Sequence, residues 1–446
     1  MSNSFVKRCW TTGLPLLRRI SVGGSRDFAA ADKKLGARMM MSTGVNSTPS
    51  SRIMSPWLML PPVSSENGDM VYKFYNHSED KEESFPRNSE EEISDGDDAK
   101  FVGSSHGWLA LLNHRSNNNN HLFLYNPITR RQIKLPPTET LPDPVKTTPD
   151  GRLIVSKLIL SSSPDDDKCI AMMIFGRKRR LAFCHPCFSI EWTLVGELYD
   201  IVPEYEYAPD YKVKAPKSYH DIVYSSTRKV FFCLSGFKLE CWDLADSLSP
   251  RIHSSFGYLS TDLKGQCMLE DKVRGGWGGD YPRLRRHVNL VYSEEYNQLF
   301  VVMRYVMEQM GPDGLYVKPI FFDKYRGWSK KVPYRTFQLD AYKVDFGVEK
   351  LVYLEGSLDG LAMFIGINHS IAMSSPTTES KLGSNCIYYT DSNRNGVPPS
   401  PSYGGHDIGV FDYTNRTISP YGYFPIDVES IKRIMPAPMW FTPCHH

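Results

Sequence analysis

From residue 101 onward the chain reads as short apolar runs separated by Gly, Pro, Asn, Asp and Ser. In Arg131-Gln132-Ile133-Lys134-Leu135 the polar and apolar positions alternate from Gln132 onward, and Pro136 stops the run. A period of two places successive side chains on opposite faces of a strand, and a proline cannot donate to a ladder. Trp108–Leu112, Ile170–Phe175 and Leu361–Ile365 are further strand-length apolar runs. The pattern predicts an all-β chain of many short strands, as in a sandwich, a barrel or a propeller.

Internal repetition decides among these. A hydrophobic pair ending in Asn or Asp, followed by a turn, recurs as Leu124-Tyr125-Asn126, Cys241-Trp242-Asp243, Phe321-Phe322-Asp323 and Val410-Phe411-Asp412. The aromatic is expected to pack between sheets, and the Asn or Asp to cap the turn through its own backbone. A second repeat pairs Gly103-Ser104-Ser105-His106-Gly107-Trp108 with Gly356-Ser357-Leu358-Asp359-Gly360-Leu361. A third places Tyr224-Ser225 and Tyr292-Ser293 before hairpin tips at Thr227-Arg228 and Tyr296-Asn297. Diverged copies between the Asx elements would make units of about 40–45 residues, the size of a propeller blade. The expectation is a β-propeller of six or seven blades, whose closure removes long exposed sheet edges. Trp57 and Trp440 lie in similar proline-bracketed apolar segments near the two termini. They are expected to share a blade and lock the ring.

Composition agrees with this picture. Aromatics make up 12% of the chain, with 25 Tyr and 22 Phe, and 31 Pro and 32 Gly supply turns. The net charge of +2 gives no global attraction to nucleic acid or membrane. No apolar run is long enough to span a bilayer, so no membrane insertion is expected. Nine scattered cysteines in so long a chain do not make a disulfide scaffold.

Two segments depart from the strand pattern. Residues 1–26 contain Lys7, Arg8, Arg18, Arg19 and Arg26 with no acid, and apolar pairs at helical spacing such as Phe5 with Cys9 and Leu16 with Ile20. Such basic amphipathic turns read as an import presequence over residues 1–40, followed by a linker at 41–54 and the propeller at 55–446. The early Lys7 and Arg8 favour the mitochondrion, with a plastid or dual destination as the alternative. Residues 79–98 carry ten acids from Glu79 to Asp98 against Lys81 and Arg87, and are expected to form a disordered acidic insertion.

With these motifs in place the chain resembles the plant domain-of-unknown-function 295 family. The resemblance rests on Pro56-Trp57-Leu58-Met59-Leu60-Pro61, Gly107-Trp108-Leu109-Ala110, Leu124-Tyr125-Asn126-Pro127-Ile128-Thr129, Asn385–Asp391 and Pro438–Pro443. It covers the chain from about Ser55 onward. It implies a kelch-like propeller, and many members carry an F-box that docks a ubiquitin-ligase adaptor. Residues 1–54 lack the helical leucine pattern of an F-box, so the resemblance is to the organelle-targeted branch without one.

Candidate chemistry is sparse. Gly103-x-Ser105-x-Gly107 matches the hydrolase nucleophile elbow, but that motif needs a strand before it and a helix after it. Cys184-His185-Pro186-Cys187 has redox or metal spacing without a second ligand pair. Arg177–Arg180 reads as a hairpin tip. No metal, nucleotide or other cofactor motif occurs. The reading is a non-catalytic module that binds a protein partner, with RNA as the lesser alternative and no small-molecule cofactor. An F-box-type receptor that has lost its F-box and a Ser105 hydrolase are the rival readings. Recognition in a propeller falls to connecting loops. The loops of unusual content are Gly275–Arg286 and Gly311–Gly314, in the region of two successive blades. The first offers Trp277, Tyr281, Arg283, Arg285 and Arg286, side chains of the kind that dominate interfaces.

The address is directly testable. A fusion of residues 1–45 to a fluorescent protein is expected to enter mitochondria, and replacing Arg18 and Arg19 by Glu to weaken entry. Uniform cytosolic fluorescence from the unaltered fusion would reject the assignment.

Overall fold

The computed structural model describes residues 55–65, 70–87, 100–114, 120–141, 147, 153–205, 208–236, 238–246, 250–258, 260–261, 284–308, 334–374, 382–391, 404–421, 434 and 436–444. Among these there is no α-helix, and the one helical element is a 3-10 turn at Thr138–Thr140. Residues 1–54, where a presequence and a linker are expected, and the Phe321-Phe322-Asp323 element lie outside the described residues.

In chain order the first strands are β1 (Trp57–Met59), β2 (Val63–Ser64), β3 (Met70–Asn76) and β4 (Lys81–Pro86). Both β1 and β2 pair with one side of β3, as a single strand broken at Pro61 and Pro62, and β4 pairs with the other side. A four-stranded meander follows: β5 (Lys100–Ser105), β6 (Trp108–His114), β7 (Asn120–Asn126) and β8 (Arg131–Lys134). The next sheet has the same plan, with β9 (Val155–Leu160), β10 (Ala171–Phe175), β11 (Arg180–Cys184) and β12 (Thr193–Val195). Strands β13 (Tyr199–Tyr205) and β14 (Ala208–Pro216) pair only with each other, in a unit of their own at Glu197–Pro216. The meander resumes with β15 (Tyr219–Ser225), β16 (Val230–Ser235), β17 (Lys238–Asp243) and β18 (Arg251–Tyr258). After the short β19 (Ser260–Thr261) come β20 (Leu284–Ser293), β21 (Gln298–Glu308), β22 (Tyr334–Asp345) and β23 (Lys350–Tyr353). The last group of strands holds β24 (Leu361–Ile365), β25 (Ile371–Ser374), β26 (Cys386–Tyr389), β27 (Gly409–Asp412) and β28 (Thr417–Pro420), with β24 and β26 parallel, and one parallel bridge, Tyr292 with Ile371, joins it to β20. Finally β29 (Met439–Phe441) returns to β1.

Apolar side chains fill the spaces between neighbouring sheets, and so close a ring. One cluster joins the β5–β8 sheet to β9–β12 through Trp108, Leu124, Leu158 and Met173, and another joins β9–β12 to β15–β18 through Ile159, Phe183, Ile222 and Phe231. Phe232 stacks on Tyr292 between β16 and β20. Val302, Leu339, Met363 and Phe411 join the β20–β23 sheet to the next. The arrangement is a β-propeller.

Closure occurs where the sequence places it. Leu58 is opposite Trp440, with Trp57 opposite Phe441 and Met59 opposite Met439. Alternation then sends Trp57 and Met59 into the cluster shared with β5–β8, and Leu58 and Leu60 into the one shared with β24–β28. A strand buried on both faces needs an unbroken apolar run, and Trp57-Leu58-Met59-Leu60 is one.

The repeats have local causes. His106 and Gly107 have φ of 50° and 79°, and Asp359 and Gly360 have φ of 55° and 79°. Both pairs are the two central residues of a tight primed turn, which needs positive φ twice and therefore favours glycine. The Asx element caps as expected. Asn126 Oδ1 accepts from the N–H groups of Ile128 and Thr129, and Asp412 Oδ1 from those of Thr414 and Asn415. Asn76 and Asp345 hold the same place at the ends of β3 and β22, Asn76 after the aromatic pair Phe74-Tyr75 and Asp345 after Lys343-Val344. Arg130, Glu349 and Arg416, each just before the returning strand, all have φ near 55° (59°, 53° and 58°).

One boundary needs correction. The acidic stretch at 79–98 was expected to be disordered throughout, yet Lys81–Pro86 forms the edge strand β4. Phe85 stacks on Trp57 and packs edge-on to Phe74, and Lys73 pairs with Glu82 at 2.6 Å. Glu82 and Glu83 are each paired with a lysine, Lys73 and Lys81, so the adjacent acids carry little cost on an edge strand, and composition alone understated the half-buried Phe85. Residues 88–98 lie outside the described residues.

Candidate functional site

The loops singled out from composition belong to one sheet, not to two. In the β20–β21–β22 ladder, Leu284 is opposite Met307 and Glu308 is opposite Tyr334. The connection 262–283 therefore enters, and the connection 309–333 departs, at the same end of the same three strands. Arg285 and Arg286 are not loop-tip residues: they lie within β20, opposite Val306 and Tyr305, with exposed side chains. The strand starts earlier than its apolar alternation suggests because β21 continues through Tyr305 and Met307, which β20 pairs with. Arg335 stands at the same end, opposite Met307. Trp277, Tyr281, Arg283 and Gly311–Gly314 lie outside the described residues.

A buried polar cluster sits beneath this edge, which sequence reasoning missed. Arg304 on β21 donates through Nε to Thr336 Oγ1 at 2.6 Å, through Nη1 to Thr390 O at 2.7 Å, and through Nη2 to Asp407 Oδ2 at 2.5 Å. Thr336 N–H donates to Asp407 Oδ1 at 3.0 Å. Asp391 accepts from the Tyr334 hydroxyl at 2.5 Å and from Gly405 N–H at 2.7 Å. The imidazole of His406 packs on the Tyr334 ring, 4.7 Å between centroids. Burial drives the Asp391 carboxyl up, and neighbouring Asp407 adds to the rise. Burial acts on Asp407 in the same sense, but Arg304 and the Thr336 bonds outweigh it and hold Asp407 below its ordinary 3.8. One arginine thus keeps one of two close carboxylates ionised and ties the β20–β23 sheet to residues 390–407 of the next. Only the chance proximity of four segments in space makes this cluster, so no local spacing announces it.

The axis of the ring is polar as well. Lys157 Nζ donates to Asp221 Oδ1 at 2.8 Å, both side chains being at most 1% exposed, and Asp221 Oδ2 accepts from Leu290 N–H at 2.8 Å. His369, between β24 and β25, reaches two other sheets. Its N–H donates to Ser104 O at 2.8 Å, and its Nε2 accepts from Tyr224 N–H at 3.1 Å. Its imidazole is pushed down to about 3, chiefly by burial and then by His106 and Lys157. The rings of His106 and His369 are 6.1 Å apart.

This packing decides the catalytic candidates. Ser105 is 4% exposed, its Oγ accepts from Leu160 N–H at 3.2 Å, and a two-residue turn into strand β6 follows it. The geometry is that of a hairpin end and not of a nucleophile elbow. Cys184 ends β11 in the core, where burial pushes its thiol well above the ordinary range. Cys187 is exposed, and its Sγ donates to Pro164 O at 3.5 Å. Among the described residues no group of His, Cys, Asp and Glu is placed to hold a metal ion. Arg177, Lys178 and Arg179 form the expected hairpin tip while Arg180 already opens β11, and Arg179 turns inward. It donates to Tyr219 O at 2.6 Å, His220 O at 2.9 Å and Ser156 Oγ at 3.2 Å. That arginine fastens one sheet to the next.

Comparison with known proteins places the chain. A family model described as KIB1-4 beta-propeller matches residues 74–412. Among solved structures, the Cps50 (Swd1) β-propeller domain of Myceliophteria thermophila is similar over 79% of each chain, at 10% identity and a TM-score of 0.31. AofleA from Arthrobotrys oligospora is similar over 66% of this chain and 67% of its own, at 9% identity and a TM-score of 0.28. No curated protein matches.

The Arg304 cluster makes a prediction. Replacing Arg304 by Met leaves the buried Asp407 carboxylate without its cation, and should lower the unfolding free energy by about 3–5 kcal/mol in urea titration. Asp407 has a depressed folded pKa, so its contribution is present above its ordinary 3.8 and lost as pH falls through the lower folded value. The stability gap between the natural chain and Asp407→Asn should therefore close on acidification below that range. A gap constant with pH would contradict the assignment.

Proposed function

The chain belongs to the KIB1-4 beta-propeller family, and from that premise we propose that it is a non-catalytic binding module that recognises a protein through the loop edge of the β20–β22 ladder. The observation that carries the reading is the register that brings both long connections to one end of three paired strands, above the Arg304–Asp407 cluster. A rigid base under variable connections is how scaffolds present recognition loops. Arg285, Arg286 and Arg335 at that end add the side-chain type most often found at interface centres.

Finer features are part of the same proposal. The sheets are read as six blades of a kelch-like ring, with the β24–β28 sheet as the irregular one. The motifs from Trp57 to Trp440 support assignment to the organelle-targeted, F-box-less branch of the plant 295 family. The basic residues of 1–26 support a mitochondrial address. The burial of Ser105 and Cys184 supports a role without covalent chemistry. No helix among the described residues is long and apolar enough to cross a membrane.

The test is proximity labelling in the native organelle, repeated with a Trp277→Ala/Arg285→Ala double variant. The variant is expected to melt at the same temperature as the natural chain and to lose at least about tenfold in recovery of its labelled partner, the loss of roughly 1.4 kcal/mol in binding. Unchanged recovery with normal folding would move the binding site elsewhere. Recovery that disappears on ribonuclease treatment would favour RNA over protein.

A further inference from the structure

The connection between β11 and β12, residues 185–192, departs from the other turns in its position. Strands β3, β7, β17, β22 and β27 each end in an Asn or Asp that folds the turn onto its own backbone. Strand β11 ends in Cys184, and the chain takes a wider path that is nonetheless fixed. Pro186 and Trp192 are buried at its two ends, and Trp192 Nε1 donates to Pro136 O at 2.9 Å. His185 N–H donates to Ser189 Oγ at 2.9 Å, and His185 O accepts from the N–H groups of Phe188 at 3.1 Å and Ser189 at 3.0 Å. Between these anchors Phe188 is 63% exposed and Ile190 is 85% exposed. Two large apolar side chains are thus held in water by a turn whose own hydrogen bonds prevent their collapse. Two exposed large apolar residues two positions apart, on a turn held by its own hydrogen bonds, offer anchors that a partner can cover.

The surroundings say what would cover it. Cys187 Sγ bonds to Pro164 O, which brings this turn against the β9–β10 connection. That connection exposes Asp165, Asp166 and Asp167, and Glu191 is exposed beside Ile190. Asp165 is paired with Arg131 at 2.5 Å, and Asp166 caps the N–H of Lys168. Lys168 is the remaining exposed cation of the connection, so acids outnumber bases around the apolar pair. An anionic lipid surface or a nucleic acid would be repelled. A segment with apolar residues on one face and lysine or arginine on the other meets both features.

We infer that Phe188 and Ile190, flanked by Asp166, Asp167 and Glu191, form a docking site for a basic amphipathic segment of a partner protein. The site shares no residue with the loop edge of the β20–β22 ladder, so its test is independent of the one above. Preformed exposure of the anchors means that the turn need not reorganise, which favours binding.

The experiment measures fluorescence anisotropy of a labelled leucine–lysine amphipathic peptide with the full chain, beside a leucine–glutamate counterpart. The lysine peptide is expected to bind, more weakly as salt rises, and the glutamate peptide not to bind. Phe188→Ser/Ile190→Ser should weaken binding by at least about tenfold, and Asp166→Asn/Asp167→Asn/Glu191→Gln should remove most of the salt dependence. Both variants should melt as the natural chain does, since the altered side chains are exposed. Equal binding of the two peptides, no binding of the lysine peptide, undiminished binding by the serine variant, or a lowered melting temperature of that variant would each overturn the inference.

Discussion

A single carboxylate holds the middle of the ring. Asp221 on β15 takes the Lys157 ammonium from the sheet before it with one oxygen and the Leu290 N–H from the sheet after it with the other. The first strands of three consecutive sheets are thereby fixed to one side chain that is fully buried. The constraint behind it is space. First strands converge on the axis until a side chain no longer fits between them: a Cβ on Gly103 would stand 1.8 Å from Leu158 O. Large apolar groups are therefore sent to the wedge between sheets, and the axis is left to short or polar residues such as Ser104, Ser105, Asp221 and Asn289. Buried polar groups cost free energy unless they are bonded, and that requirement is what makes Asp221 a cross-link and not a burden.

The same solution recurs outward from the axis. Glu294, at the tip after β20, accepts from the N–H groups of Ser226 and Thr227 on the previous sheet, and Glu295 from the Ser374 hydroxyl on the next. Arg179, Arg304 and Arg416 each reach across a sheet boundary, the last to the buried Asp340. Apolar wedges set the spacing of the sheets, while these directional contacts set their register.

Much of the architecture was legible because its causes are local. The Asx turns, the primed turns at His106-Gly107 and Asp359-Gly360, and the tips at Thr227-Arg228 and Tyr296-Asn297 each follow from the conformational needs of a few adjacent residues. The meeting of the Trp57 and Trp440 segments was legible from similar apolar content at the two ends, though not the register that sets Leu58 opposite Trp440. What stayed hidden was set by tertiary contact. Arg179 looked like a solvated tip because nothing near it in sequence shows the carbonyls of Tyr219 and His220. Lys81–Pro86 looked like part of an acidic coil because composition weighs the charges and not Phe85. Arg285 and Arg286 looked like a loop because their strand partners are Val306 and Tyr305, across a hairpin. Lys157, Asp221, Arg304 and Asp407 gave no signal at all, since each is a lone charged residue until the ring closes.

The claim that Asp221 is the central cross-link is tested most directly by a double-mutant cycle in urea. Lys157→Met and Asp221→Leu should each lower the unfolding free energy by about 3–5 kcal/mol, because each leaves the other charge buried alone. The double variant should lose less than the sum of the two, with a coupling of at least about 1 kcal/mol. Single losses below about 1 kcal/mol, or losses that simply add, would contradict a structure organised around that pair.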